Sequence, residues 1–78
     1  MRIFYVNEDL QNKLKKLAKR DRLLHEQILN KMNEIADSYD IGHYKNLKYN
    51  MKNSKRVHIG SFVLIFQYDK TKNIIYFG

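Results

Sequence analysis

The sequence predicts an α+β fold in the order β-α-α-β-β-β, an antiparallel meander sheet with a helical hairpin packed on one face. Three observations support this prediction. Residues 8–37 repeat apolar side chains at helical spacing, and from residue 38 a period-two pattern replaces them. The pair Gly60-Ser61 separates two apolar runs, as a hairpin turn does. At 78 residues, the chain is expected to form a single domain, residues 1–78.

A short strand and a capped helix are predicted first. Residues 2–6 are β-branched and aromatic, which favours a strand. Asn7 provides a side-chain cap, and Glu8 and Asp9 put negative charge at the helix end where backbone N–H groups lack partners. The helix is predicted over residues 8–20. Its narrow apolar stripe consists of Leu10, Leu14 and Leu17.

A second helix is predicted from Asp21, which can cap it, to about Asp37. Its apolar face is wider than that of the first helix. The members of this face are Leu24, Ile28, Leu29, Met32, Ile35 and Ala36. Because almost nothing separates the two helices, we expect an antiparallel helical hairpin.

Three strands are predicted in the C-terminal half. Glycine at the first central position of a type II′ turn permits a positive φ, so Gly60-Ser61 should join a strand at 55–59 to a strand at 62–68. Residues 69–73 form a second turn, and residues 74–77 a last strand.

Positive charge is concentrated in this strand-rich half. The formal net charge is +7. Residues 1–37 hold eight Lys/Arg against six acids, whereas residues 38–78 hold seven against two. Residues 41–68 contain five Lys/Arg, two His and no carboxylate. This asymmetry favours nucleic acid or an acidic protein as partner over a membrane surface, because membrane-surface proteins carry their charge on broad amphipathic helices.

Composition also argues against several classes of protein. The chain has no cysteine, and its histidines, His25, His43 and His58, are too widely spaced for a metal-ligand pattern, so we expect no metal and no cofactor. No apolar run approaches the roughly 20 residues that span a bilayer. The first residues do not resemble a signal peptide, so a cytoplasmic protein is expected.

Arg56 and His58 are the candidate catalytic pair. Side chains alternate across a strand, so Val57 and Ile59 should face the core while Arg56 and His58 project together from the other side. Such a pair can hold an anion and transfer a proton. A simpler interpretation makes Arg56 a cation that discourages edge pairing and His58 an ordinary strand histidine.

Further basic residues and tyrosines lie near this pair in the sequence. Basic side chains interleaved with aromatic ones are typical of single-stranded RNA binding, with charge holding phosphate and rings stacking on bases. Alternatively, the tyrosines, including Tyr44, pack over the rim of the helical hairpin. The candidate RNA- and phosphate-binding residues are Lys45, Lys48, Tyr49, Lys52 and Lys55.

These residues carry a resemblance to a known family. Leu47, then Arg-Val-His-Ile-Gly at 56–60, a turn, and Phe-Val-Leu-Ile-Phe at 62–66 make a pattern that resembles the RelE toxins of prokaryotic toxin–antitoxin systems. The resemblance covers nearly the whole chain and implies a RelE-like fold. The pattern is also shared with the wider RelE/ParE superfamily, which includes gyrase poisons that cut no RNA.

The resemblance implies a toxin that enters the ribosomal A site and cleaves mRNA there. It implies a metal-independent endoribonuclease that inhibits translation and is neutralised by a RelB-type antitoxin. Arg56 and His58 match the paired basic positions of the family's catalytic strand.

The chain departs from the family pattern in two places. Val63 stands where the strand after the turn commonly carries an arginine, and the sequence ends at Gly78, where the family usually continues with a basic residue and a tyrosine that contribute to cleavage. Either the chain is truncated or its activity depends on fewer groups, and we expect it to fold and bind but to cut poorly. Two other functions stay open: a ParE-like inhibitor of a topoisomerase, and a basic RNA-binding module without catalysis.

Overall fold

The described elements follow the predicted order, from one strand through two helices to three strands. The protein is represented by a computed structural model that describes residues 1–44 and 54–78. The elements are β1 (Ile3–Val6), α1 (Glu8–Arg20), α2 (Arg22–Asp37), a 3-10 turn (Ile41–His43), β2 (Ser54–Ile59), β3 (Phe62–Asp69) and β4 (Ile74–Phe77). In the part of the chain that the structure describes, no helix is long and apolar enough to cross a membrane.

The four strands form one mixed sheet in the order β1-β4-β3-β2. Strands β2, β3 and β4 make the predicted antiparallel meander. Strand β1 pairs in parallel with β4, with Ile3 opposite Ile74 and Val6 opposite Phe77. Parallel neighbours need a long connection, and here both helices and two strands lie between the paired segments. The predicted α+β fold is confirmed, with β1 as a parallel edge strand.

Two side-chain caps set the helix boundaries as predicted. Asn7 accepts a hydrogen bond from the backbone N–H of Leu10 at 2.8 Å, and Asp21 accepts one from Leu24 at 3.1 Å. The backbone N–H of Asp21 also donates to the carbonyl of Leu17 at 2.7 Å. One residue therefore closes α1 and opens α2.

The core lies between the helices and one face of the sheet. Burying one of its large apolar side chains stabilises the fold by roughly 1.5–3 kcal/mol. Its buried members are Leu10, Leu14, Leu17, Ile28, Met32, Ile35, Ile41, Ile59, Leu64, Phe66, Ile75 and Phe77. The predicted stripe of α1 is thus confirmed. Leu29 of α2 was predicted to be buried but is 40% exposed, because it borders a groove between the helices and β1.

The turn between β2 and β3 has the predicted geometry. Ile59 pairs with Phe62, which leaves Gly60 and Ser61 as a two-residue loop. Gly60 has a φ of +58°, whereas Ser61 is not among the described residues with a positive φ. A positive φ at the first central position alone is the mark of a type II′ turn.

Arg2 ties three parts of the fold together, in what we term the Arg2 clamp. Its Nε donates to Oδ1 of Asn73 at 2.9 Å, and its Nη1 donates to the carbonyls of Ala36, at 3.4 Å, and Ser38. The guanidinium also lies 5.4 Å from the ring centre of Tyr68, whose hydroxyl donates to the same Asn73 oxygen at 2.6 Å. The clamp joins the start of β1 to the end of α2 and the β3–β4 turn.

Candidate functional site

Arg56 and His58 lie on the sheet face away from the helices, which we term the open face. Antiparallel pairing puts Arg56 opposite Ile65 and His58 opposite Val63. Because residues two apart on a strand are separated by roughly 7 Å, the two side chains are neighbours. Val63 and Ile65 are 44% and 36% exposed, so the pair stands on an accessible apolar surface. The predicted grouping of Arg56 with His58 on one face agrees with this strand register.

Arg56 carries a donor without an acceptor. Its side chain is half-buried, and Nε is buried with no hydrogen-bond partner among the residues the structure describes. An unsatisfied buried donor costs roughly 1–3 kcal/mol, and a movement of the side chain that exposes Nε to an external acceptor would remove this penalty. Within residues 1–44 and 54–78, the one ion pair joins Lys31 and Glu34, so no described carboxylate neutralises Arg56.

His58 is exposed beside Arg56. Nothing in the described part of the chain covers its ring, and its cross-strand neighbour Val63 is apolar. The open face therefore carries a half-buried arginine and an exposed histidine two residues apart on one strand. Arginine can bind a phosphate through two parallel hydrogen bonds, and histidine can exchange a proton near neutral pH.

Lys55 does not join this pair. It shares the strand parity of Val57 and Ile59, and its Nζ donates to the backbone carbonyl of Tyr44 at 3.2 Å. The ring of Tyr44 packs edge-on against Phe66, with centroids 5.6 Å apart. Lys55 thus lies on the core side of the sheet, as strict alternation requires. Tyr44 therefore packs against the core through Phe66 of β3, and no described contact places it over the rim of the helical hairpin.

Four predicted RNA-binding residues fall in the segment between the two described ranges. Lys45, Lys48, Tyr49 and Lys52 lie outside the described residues.

A stacked pair of tyrosines on the open face was not singled out from the sequence. Tyr5 of β1 and Tyr76 of β4 have ring centroids 5.9 Å apart and planes at 19°. The register continues from Tyr76 to Gln67 and then to Ser54, whose hydroxyl accepts a hydrogen bond from Gln67 at 3.2 Å. Alternation within each strand could have indicated that both rings leave the core. Their contact depends on the parallel pairing of β1 with β4, which no local signal gives.

Comparison with known proteins gives relatives in the archaea. No family model matches the chain. A Methanocaldococcus jannaschii protein named "Putative toxin RelE4" is 45% identical over 65 residues, which are 82% of this chain and 67% of that protein. A Methanosarcina mazei protein named only as uncharacterized is 42% identical over 66 residues, covering 83% of this chain and 74% of its own length.

A solved structure shares the fold. The solution structure of the conserved hypothetical protein HP0892 from Helicobacter pylori superimposes with a TM-score of 0.63. It covers 100% of this chain and 90% of that one at 23% sequence identity. At this identity the likeness concerns the arrangement of the helices and strands.

Proposed function

The chain belongs to the RelE family of toxins, and from that premise we propose that it is the toxin of a type II toxin–antitoxin system. A toxin of this family implies an antitoxin partner. The proposed activity is ribosome-dependent cleavage of mRNA, which stops translation and is neutralised by a RelB-type antitoxin.

The observation that carries this proposal is the pairing of Arg56 and His58 on the open face. Nε of Arg56 is buried without a partner among the described residues, and His58 stands exposed two residues along the same strand. A phosphate oxygen is an acceptor that suits a guanidinium, and the imidazole next to it suits a proton transfer.

Cleavage would use the RNA's own 2′-OH as nucleophile. The 2′-oxygen forms a bond to the adjacent phosphorus while the bond from phosphorus to the 5′-oxygen breaks, leaving a cyclic phosphate and a new 5′-hydroxyl. The proton of the 2′-OH goes to a base, and the departing 5′-oxygen takes up a proton. In this scheme His58 transfers a proton and Arg56 stabilises the negative charge that builds on the phosphate oxygens.

The remaining predicted residues hold the RNA backbone in this proposal. Lys45, Lys48 and Lys52 would contribute positive charge and Tyr49 a stacking surface, on sequence grounds alone. Lys55 would take part only after its ammonium leaves the carbonyl of Tyr44.

Primer extension on an mRNA in a purified translation system tests the proposal. Cuts inside the A-site codon that need both the protein and ribosomes are expected. Arg22→Ala and His25→Gln are matched controls, since both residues belong to α2 and lie away from the open face. Cuts that occur equally without ribosomes, or no cuts at all, would contradict the proposed activity.

One observation favours a ParE-like inhibitor of a topoisomerase as second candidate. Val63, directly opposite His58, is apolar where RNA-cutting members of the family commonly carry an arginine. A supercoiling assay with purified gyrase separates the two candidates, because inhibition of gyrase without any mRNA cleavage would favour the second. Strongly salt-dependent RNA binding without cleavage or gyrase inhibition would instead indicate a plain binding module.

A further inference from the structure

A cavity with a volume of about 400 Å³ lies on the open face beside Tyr76. We term it the tyrosine slot. Gln67 is directly paired with Tyr76, and Asp69 lies two residues farther along β3, so these three side chains leave the sheet on the same face. Pockets for small organic ligands have volumes of roughly 300–1,000 Å³, so the slot can receive a nucleobase. Its lining residues are Gln67, Tyr68, Asp69, Lys70 and Tyr76.

Tyr76 forms an aromatic wall of the slot and is supported from behind by Tyr5. The two rings are stacked, with centroids 5.9 Å apart and planes at 19°. Strand β4 lies between β1 and β3, so Tyr5 packs on the β1 side of Tyr76, whereas the slot lies on the β3 side. Tyr76 is 39% exposed despite this contact. A flat ring that enters the slot would therefore extend the stack from two rings to three.

Asp69 gives the slot a hydrogen-bond acceptor. Its Oδ1 accepts a hydrogen bond from the backbone N–H of Lys72 at 3.1 Å, which fixes the direction of the carboxylate. Among the residues that the structure describes, no ion pair involves Asp69. A carboxylate repels phosphate and accepts hydrogen bonds from N–H donors. The slot therefore suits a flat ring that carries an amino group, which describes a nucleobase better than a phosphate.

The slot and the candidate catalytic pair belong to the same face of the sheet. Tyr76 pairs with Gln67, and Arg56 pairs with Ile65, two residues away on β3. The backbones at Tyr76 and Arg56 are therefore separated by two strand spacings and two residues, or about 12 Å. An RNA strand with a phosphate at Arg56 can place the base of a nearby nucleotide on Tyr76. Aromatic side chains on the face of a four-stranded sheet are a known platform for RNA bases.

We propose that the tyrosine slot binds an unpaired base of the RNA, which stacks on Tyr76 while its exocyclic amino group donates a hydrogen bond to Asp69. Stacking accepts every base, so the selection comes from Asp69. Adenine, cytosine and guanine carry an exocyclic amino group, and uracil carries none. The inference rests on the RNA substrate of the proposed function, and it adds which residues select a base near the cleavage site.

Binding of short RNAs without ribosomes tests the proposal. The full chain is titrated against fluorescently labelled oligocytidine and oligouridine of about eight nucleotides, a length within the site sizes of single-strand binding proteins, and binding is followed by anisotropy. The two RNAs have the same charge and pyrimidine rings of the same size, and they differ in the amino group. We expect oligocytidine to bind about fivefold more tightly.

Replacing Tyr76 tests the stacking. Tyr76→Leu is expected to weaken binding of both RNAs by about tenfold, because it removes the aromatic wall. Tyr76→Phe keeps the ring and should retain binding within about twofold. Tyr39→Leu is the matched control, since Tyr39 is an exposed tyrosine that does not line the slot.

Replacing Asp69 tests the selection. Asp69→Asn is expected to bring the two dissociation constants within about twofold of each other, because an amide offers a donor as well as an acceptor. Loss of a negative charge should tighten binding of both RNAs, so the readout is the ratio of the two constants. Asp37→Asn removes the same charge on α2 and should leave the ratio at about fivefold. This ratio remains decisive if Tyr76→Leu fails to fold.

The proposal is overturned by equal binding of the two RNAs to the unmodified protein, by equal effects of Tyr76→Leu and Tyr39→Leu, by an unchanged ratio in Asp69→Asn, or by no binding of either RNA at low salt. The assay contains no ribosome and measures no cleavage. Slot-dependent RNA binding with no mRNA cleavage in the translation system would contradict the proposed activity and leave the slot assignment intact. Cleavage of mRNA together with slot-independent RNA binding would do the opposite.

Discussion

Arg2 and Arg56 occupy opposite edges of the same sheet and are used in different ways. The guanidinium of Arg2 donates to Asn73, Ala36 and Ser38 and lies over the ring of Tyr68. Arg56 is also partly buried, yet its Nε has no acceptor among the described residues. Acceptors within the fold therefore bind the guanidinium of Arg2, whereas Nε of Arg56 has no hydrogen bond among the described residues. The comparison separates a cation that holds the fold from a cation suited to an external anion.

Replacing Arg56 should have the largest effect on activity. We expect Arg56→Ala to lower ribosome-dependent cleavage by about 10²–10³-fold, as loss of a donor to a charged transition state does. Stability should change little or increase, because the variant removes an unsatisfied buried donor. Primer extension and chemical denaturation measure the two effects. Equal cleavage by Arg56→Ala and by the control Arg22→Ala would remove Arg56 from the catalytic site.

Replacing His58 tests whether the open face transfers a proton as well as binding phosphate. We expect His58→Gln to lower cleavage by on the order of 10²-fold while RNA binding is retained, because glutamine keeps hydrogen bonding but cannot take up a proton. Cleavage is followed by primer extension and binding by fluorescence anisotropy. His25→Gln should match the unmodified protein. Unchanged cleavage by His58→Gln would make His58 an ordinary strand histidine.

Replacing Arg2 should produce the opposite pattern. We expect Arg2→Ala to destabilise the fold by about 2 kcal/mol, since it removes several charge-assisted hydrogen bonds at once. Cleavage per folded molecule should stay within about twofold, because Arg2 lies away from the open face. Urea denaturation gives the free energy of unfolding. A normal denaturation midpoint would mean that the Arg2 clamp contributes little to stability.

Replacing Val63 by arginine should have the smallest effect on activity, and we expect cleavage to increase. Val63 is directly opposite His58, so Val63→Arg adds a cation beside the candidate pair, and we expect cleavage to rise by about tenfold. Ile3→Arg is the control, since it adds the same charge to the open face at an exposed position on β1, the strand farthest from β2. Equal gains from both variants would indicate a general effect of net charge on RNA binding.

Local signals predicted most of the fold. Asn7 and Asp21 cap the two helices at the positions that the sequence predicted. Gly60 has the positive φ that the predicted type II′ turn requires. Each of these features depends on residues within about four positions in the chain. The parallel pairing of Ile3 with Ile74 depends instead on residues far apart in the chain. The stacking of Tyr5 on Tyr76 follows from that pairing and was not predicted either.

The sequence predicted the part of the candidate site that depends on the alternation of side chains along a strand. Arg56 and His58 share a face because they are two residues apart on a strand. The contact of Lys55 with Tyr44 depends on the 3-10 turn at Ile41–His43, which the period-two pattern did not indicate. The burial of Arg56 Nε is a tertiary effect, which the alternation of side chains along one β-strand does not predict.

The parallel edge strand has a consequence for biosynthesis. Ile3 can pair with its strand neighbour Ile74 only after the 70 intervening residues have been made. The hydrogen bond from Arg2 to Asn73 likewise forms only late in synthesis. Contacts between such distant residues form late and slow the folding of small domains. A ribosome that makes this protein therefore adds Arg56 and His58 to the nascent chain before the segments that complete the sheet exist.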